Sequence, residues 1–344
     1  MNSTTAGVSV SPDAARQIYR EAIVIDGLGP IFWYQEDFDA YLDRVVASGV
    51  TAFNHTCSIP YDFNPDSIDE LARKLENWEN AAARHPDKLS VARTVEDIEQ
   101  AKEAGKVAVI FGIQNLGLVG DDAGNVRRLH DLGVRIAGLT YQAGNSVGGS
   151  NGDPVDEGLT ALGREVVAAM NEVGILICAS HAGERTALEA IEESRDPVVY
   201  SHINVRNLRN VPKNVPDENI DAIARSGGVI GIAAWSATVS ETPNPHLDQF
   251  LAHIEYVVDR IGVDHAAIGL DLSDGLPKER LELLKANFSK ISDTPWEHMY
   301  VEELSDVDKW PTVADGLASL GYGETDIVKI LGTNFMRVFK QVWK

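Results

Sequence analysis

This chain is short of the features by which a sequence announces a partner or a compartment. It holds two cysteines in 344 residues, Cys57 and Cys178. That is too few for a disulfide framework and too widely spaced for a CxxC motif, so both read as small buried hydrophobes in a reducing compartment. Basic excess is absent too: 30 Lys and Arg stand against 52 Asp and Glu, a formal net charge of -22. So acidic a surface repels phosphate backbones and anionic bilayers, and neither nucleic acid nor membrane is an expected partner. No uninterrupted apolar run approaches the roughly 20 residues that cross a bilayer. Met1 to Ser11 has no basic stretch leading into an apolar one, so no secretory signal is expected and the expected location is cytoplasmic.

What is present is a globular composition, 44% hydrophobic and 24% charged, in a chain long enough to bury a large core. Two short apolar runs organise the rest. Ile175–His181 and Pro197–His202 each end in Ser-His, and between them Gly183–Glu192 has helical amphipathicity. Strand, helix, strand at this spacing is a βαβ unit, which places both histidines at the C-terminal ends of neighbouring parallel strands. The same alternation recurs along the chain. Strands are expected at 22–28, 50–55, 107–114, 134–141, 228–235 and 266–271 besides the two histidine strands. Helices are expected at 12–22, 39–47, 67–83, 95–105, 126–132, 162–173, 216–226, 247–261, 313–320 and 325–343. Eight such repeats, with strands apolar on both faces and no Pro/Ser-rich linker, predict one α/β domain over 1–344. Its architecture is a (β/α)₈ TIM barrel, with helices in 306–344 packed on it.

In such barrels chemistry sits at the C-terminal strand ends. Here those ends carry Leu28 with Pro30, His55, Gln114 with Asn115, Tyr141 with Gln142, His181, His202, Trp235 and Asp271. Polar side chains ending apolar strands are costly without a partner or a task. His181 and His202 suit zinc ligation or catalysis, against the plainer reading of core histidines bonded to backbone. His55 is a third candidate nitrogen, or else a strand-end histidine bonded to a loop. Asp271 is a candidate ligand, a general base or a helix cap. His85, His130, His246, His253, His265 and His298 read as solvated. Gly144–Gly152 lacks the ending of a P-loop and reads as a pocket-shaping loop, as does Asp274–Glu303.

With those residues in view the chain resembles the membrane (renal) dipeptidase family, peptidase family M19 of the amidohydrolase superfamily. The resemblance covers nearly the whole chain. It is carried by Gly158-Leu159-Thr160, Met170-Asn171-Glu172-Val173-Gly174, Ser180-His181, Tyr200-Ser201-His202-Ile203-Asn204, Asn214-Val215-Pro216-Asp217, Ile268-Gly269-Leu270-Asp271 and Gly332-Thr333-Asn334-Phe335. It implies a (β/α)₈ barrel with two zinc ions that cleaves dipeptides, possibly excepted here in its metal content. His181 and His202 match two ligands of one metal, and Asp271 the aspartate that handles the proton of the attacking water. Elsewhere the chain departs from the family. Leu28, Gly29 and Pro30 stand over the first-strand His-x-Asp pair, Gln114 replaces a bridging glutamate, Tyr141 a carbonyl-polarising histidine, and Lys213 a carboxylate-gripping arginine.

These departures predict at most one zinc, held by His181, His202 and His55, with Gln114 or water completing it. The catalytic groups would be Asp271, Tyr141 and His202. Lys213, Gln114, Asn115 and Trp235 would bind a small-molecule substrate. The leading expectation is hydrolysis of a dipeptide-like or small amide substrate. The alternatives are a lyase, isomerase or epimerase using the same acid–base groups on a small polar acid, and an inactive binding homologue. The resemblance also makes a homodimer an expectation.

Overall fold

The computed structural model describes residues 10–30, 32, 35, 37–58, 67–273, 279, 282, 286 and 298–344. Most of the 274–303 loop expected to shape the pocket lies outside them. The strands are β1 (Ile25–Asp26), β2 (Ala52–Thr56), β3 (Leu89–Ala92), β4 (Val107–Ile113), β5 (Ile136–Gly138), β6 (Leu176–Cys178), β7 (Tyr200–Ile203), β8 (Ile230–Ile232) and β9 (Ala266–Ile268). All their pairings are parallel, in the orders β1-β2-β4-β5-β6 and β7-β8-β9. Two sets of backbone bonds join the arcs. Val199 N–H reaches Ile177 O at 3.0 Å and Ala179 N–H reaches Val199 O at 2.8 Å. On the other side Gly27 N–H donates to Ile268 O at 3.0 Å and Asp271 N–H to Leu28 O at 2.8 Å. The curled parallel sheet is thereby that of a (β/α)₈ barrel.

One strand was not expected. β3 pairs with Val107–Ile110 of β4, on the edge whose far end, Gly112–Ile113, pairs with β5. It is four residues long with its middle two only half-buried, so it shows neither an apolar run nor a clean alternation. The expected strands are also shorter than their apolar runs, because the run continues into loops that stay buried.

Helices begin where the sequence offers a cap. Ser11, Asp37, Ser67, Thr94 and Thr160 each accept a first-turn N–H, and Ser67 with Glu70 and Thr94 with Asp97 complete capping boxes. The expected helix over 325–343 is instead Glu324–Val328, one wide π-helical turn at Lys329–Thr333, and Asn334–Val342. The last of these drives Phe335 and Phe339 into a cluster with Ile25, Ile110 and Leu176 at the lumen.

Side-chain parity divides the core. Along β4, Ala108 and Ile110 join that inner cluster, while Val107, Val109, Phe111 and Ile113 join the larger layer between strands and helices. The lumen narrows at Ser201, where a Cβ at Gly27, Gly231 or Gly269 would stand 2.2, 2.2 or 1.8 Å from the Ser201 carbonyl oxygen. Only glycine fits there.

Candidate active site

Two local irregularities bring the histidines together. Strict alternation from Tyr200, which faces the outer layer, would send His202 outward as well. Between Tyr200 and Ile203 the chain takes three steps while β8 takes two, from Ile230 to Ile232, a bulge that turns both Ser201 and His202 inward. After β6 a turn closed by Ala182 N–H to Ala179 O at 3.0 Å swings His181 to the same place. The two Nε2 atoms are 3.0 Å apart.

They border a small cavity of about 10 Å³, room for one water or one ion, whose other lining includes Asn54, Gln114, Ser180 and Ser201. Gln114 Oε1 and Asn54 Oδ1 are buried and have no hydrogen-bond partner among the described residues. Tyr141 leans on the pair from outside, its ring 4.5 Å from that of His181. Both imidazoles are held neutral, their basicity pushed well below the ordinary value by burial and by the nearby charge of Lys213.

Asp271 follows β9 in a left-handed backbone conformation, φ 58°. Its Oδ2 meets Lys213 Nζ at 3.3 Å, and that ammonium lies 4.7 Å from the ring centre of Trp235. Burial raises the Asp271 carboxyl above the usual range, and Lys213 opposes the rise. Lys213 also lines a larger polar cavity of about 180 Å³, with Ser180, Asn151, Glu184 and Arg206. The carboxyl of Asp26, beneath Asp271, was not foreseen. It is fully buried, accepts N–H bonds from Leu28 at 3.1 Å and Leu270 at 2.8 Å, and is pushed up to about 8 by burial and then by the Asp271 charge.

Two expected site residues stand elsewhere. His55 faces outward with Phe53, boxed by Phe32, Phe53 and Trp78, its ring 4.6 Å from the indole. Its Nδ1 lies 3.3 Å from Pro30 O, and burial pushes its pKa down to about 3. Parity explains this: in β2 it is Asn54 that faces the lumen, a residue overlooked because an all-buried strand hides its alternation. Asn115 is spent on structure, its Oδ1 accepting Gly117 N–H at 2.8 Å and Asn145 Nδ2–H at 2.7 Å. His253, expected to be solvated, is fully buried, with Val205 N–H donating to Nδ1 at 3.0 Å and Nε2 against Val239 O at 2.8 Å. Cys57 and Cys178 are both free and buried. No described helix is long and apolar enough to cross a membrane. Among the described residues no three His, Cys, Asp or Glu side chains converge as a metal site.

A (β/α)₈ barrel carrying imidazoles and a carboxylate at its strand ends defines an amidohydrolase-type enzyme. Within that class the chain belongs to the membrane dipeptidase family, peptidase family M19, whose model matches residues 13–289 and 292–344. Dipeptidase tcpJ of Claviceps purpurea is 26% identical over 96% of this chain and 70% of its own length. An uncharacterised protein from the pqqA 5' region of Klebsiella pneumoniae is 27% identical over 81% of this chain and 98% of itself. Among solved structures, an amidohydrolase from Pseudomonas aeruginosa superposes with TM-score 0.85 at 30% identity, covering 97% of this chain and 99% of that one. A metallopeptidase from Rhodobacter sphaeroides, solved with a phosphinate mimic of L-Ala-D-Ala, gives 0.77 at 20% identity over 94% and 100%; at that identity the likeness is one of fold.

Proposed function

We propose that this hydrolase cleaves a small dipeptide-like amide with the help of one divalent cation, zinc by its donor set, bound by His181, His202 and Gln114. One observation carries the reading. Two neutral imidazole nitrogens 3.0 Å apart border an ion-sized cavity whose remaining buried polar atoms, Gln114 Oε1 and Asn54 Oδ1, are acceptors in want of a positive partner. Donors sharing a zinc at about 2.0–2.1 Å stand roughly 3–3.4 Å apart, so the separation fits. A second cation fits poorly, since Gln114 offers no anionic bridge and Leu28 and Pro30 no donor side chain.

Such a cation supplies carbonyl polarisation and a more acidic bound water. The remaining work falls to the chain. Asp271 takes a proton from the attacking water as its oxygen bonds to the carbonyl carbon, then returns it to the amine as the C–N bond breaks. Lys213 holds Asp271 in place and offers a positive charge to a substrate carboxylate, without the two-pronged grip of arginine. Tyr141 offers its hydroxyl to the developing oxyanion.

The second reading, acid–base chemistry on a small polar acid, draws on the same 3.0 Å contact taken as a hydrogen bond between the rings. Chelation separates the two. Zinc analysis and a dipeptide and acyl-amide panel, run before and after chelator treatment, should give one zinc per chain and turnover that falls with its removal. Turnover of any found substrate that survives complete metal removal refutes the hydrolytic reading.

A further inference from the structure

Beneath His202 lies a group of hydroxyls and a thiol that the reaction does not touch. Cys178 Sγ is 3.2 Å from Ser180 Oγ and 3.1 Å from Ser201 Oγ, and the two hydroxyl oxygens are 3.5 Å apart. The three make a closed triangle, buried inside the barrel. His202 is tied to it twice. Its backbone N–H donates to Ser180 Oγ at 3.1 Å, and its Nδ1 lies 2.8 Å from Ser201 Oγ.

Each hydroxyl can donate once and accept twice, so the protons can be counted. If Nδ1 carries the ring proton, it donates to Ser201 while Cys178, Ser180 and Ser201 each donate around the triangle, for four bonds among these groups. If Ser201 instead donates to a bare Nδ1, its proton leaves the triangle and three remain. The first arrangement satisfies one more donor in a place no bulk water reaches, where an unmade bond is expensive.

We infer that the Cys178–Ser180–Ser201 triangle is a tautomer lock: it holds the His202 proton on Nδ1 and thereby keeps the Nε2 lone pair directed at His181 and the ion-sized cavity. Ser201 is a positioning residue, acting on the site only through the ring it orients. The bulge in β7 is what makes this geometry available, since it turns Ser201 and His202 inward together. The functional value of the lock rests on the single-cation reading above, because a ring protonated on Nε2 cannot ligate through that atom.

The test is long-range ¹H–¹⁵N NMR of the histidine rings in the chelator-treated full chain, at neutral pH, for wild type, Ser201→Ala and Cys178→Ser, followed by Zn²⁺ titration of each. Wild type should show His202 protonated on Nδ1. Ser201→Ala should move the proton toward Nε2 and weaken Zn²⁺ binding about 10–100-fold, the usual loss when the partner of a ligating histidine is removed. Cys178→Ser, which restores a hydroxyl to the triangle, should keep the wild-type tautomer. A wild-type ring protonated on Nε2, or an Nδ1 proton indifferent to Ser201→Ala, overturns the lock. If wild type binds no Zn²⁺, the single-cation reading fails, while the tautomer spectra still decide the lock.

Discussion

Asp26 provides a stringent test of the electrostatics, through the substitution Asp26→Asn. Its carboxyl is fully buried, and its Oδ2 has no hydrogen-bond partner among the described residues. Burial pushes it up to about 8, against 3.8 for an ordinary aspartate. Between those values the folded chain holds a proton that the unfolded chain has released. Raising the pH through the window therefore removes stability, and the loss is complete once the folded carboxyl has ionised. From pH 5 to pH 8 the contribution is roughly 3–4 kcal/mol, at about 1.4 kcal/mol per pH unit. Asparagine keeps the Oδ1 acceptor for Leu28 and Leu270 N–H but never ionises. Its amide leaves a donor without a partner where Oδ2 stood, which costs about 1–3 kcal/mol at every pH.

The variant should thus be less stable than wild type at pH 5 and equal or better at pH 8, read as urea midpoints at both. The buried neutral histidines impose the opposite slope, with His55 pushed down to about 3 and His253 to about 4. They do so in both proteins alike, and drop out of the difference. A gap between variant and wild type that stays constant from pH 5 to pH 8 refutes the argument.

Two other substitutions probe the site more directly. Lys213→Met removes the charge that holds the Asp271 carboxyl down, so the acidic limb of the kcat/KM profile should move to higher pH, whereas Lys213→Arg should largely keep it in place; an unmoved limb in the Met variant would detach Lys213 from the base. His55→Phe should leave kcat/KM within about 2-fold, because the ring sits in the aromatic layer behind β2, and should lessen the loss of stability as pH falls from about 6.5 toward 3, where the unfolded chain gains a proton that buried His55 refuses. A collapse of turnover in that variant would return His55 to the active site.

The order of strands and helices was legible because each repeat pairs a β-branched apolar run with an amphipathic helix. The Ser and Thr caps marked where helices begin, and the polar strand ends marked the working face of the barrel. The family resemblance read from Ser180-His181, Tyr200-Ser201-His202 and Gly269-Leu270-Asp271 agrees with the family match over most of the chain. Those features are local, and a few neighbouring residues suffice to encode them.

Which way a strand-end side chain points is a different matter, because parity along a strand is set by its partners. In an all-buried strand no polar alternation betrays the faces, so His55 was taken for a ligand while Asn54 held the lumen position. Alternation alone would also have aimed His202 outward. One extra residue of β7 against β8 reversed it, and did so for Ser201 at the same time. The raised carboxyl of Asp26 depends likewise on a barrel closing over it, with Leu270 donating from 244 residues away. The chain's own letters determined the barrel, its working face and the kinds of side chain found there. Register between strands and the exclusion of water, which exist only once distant segments meet, decided which of those groups share a cavity and in what protonation state.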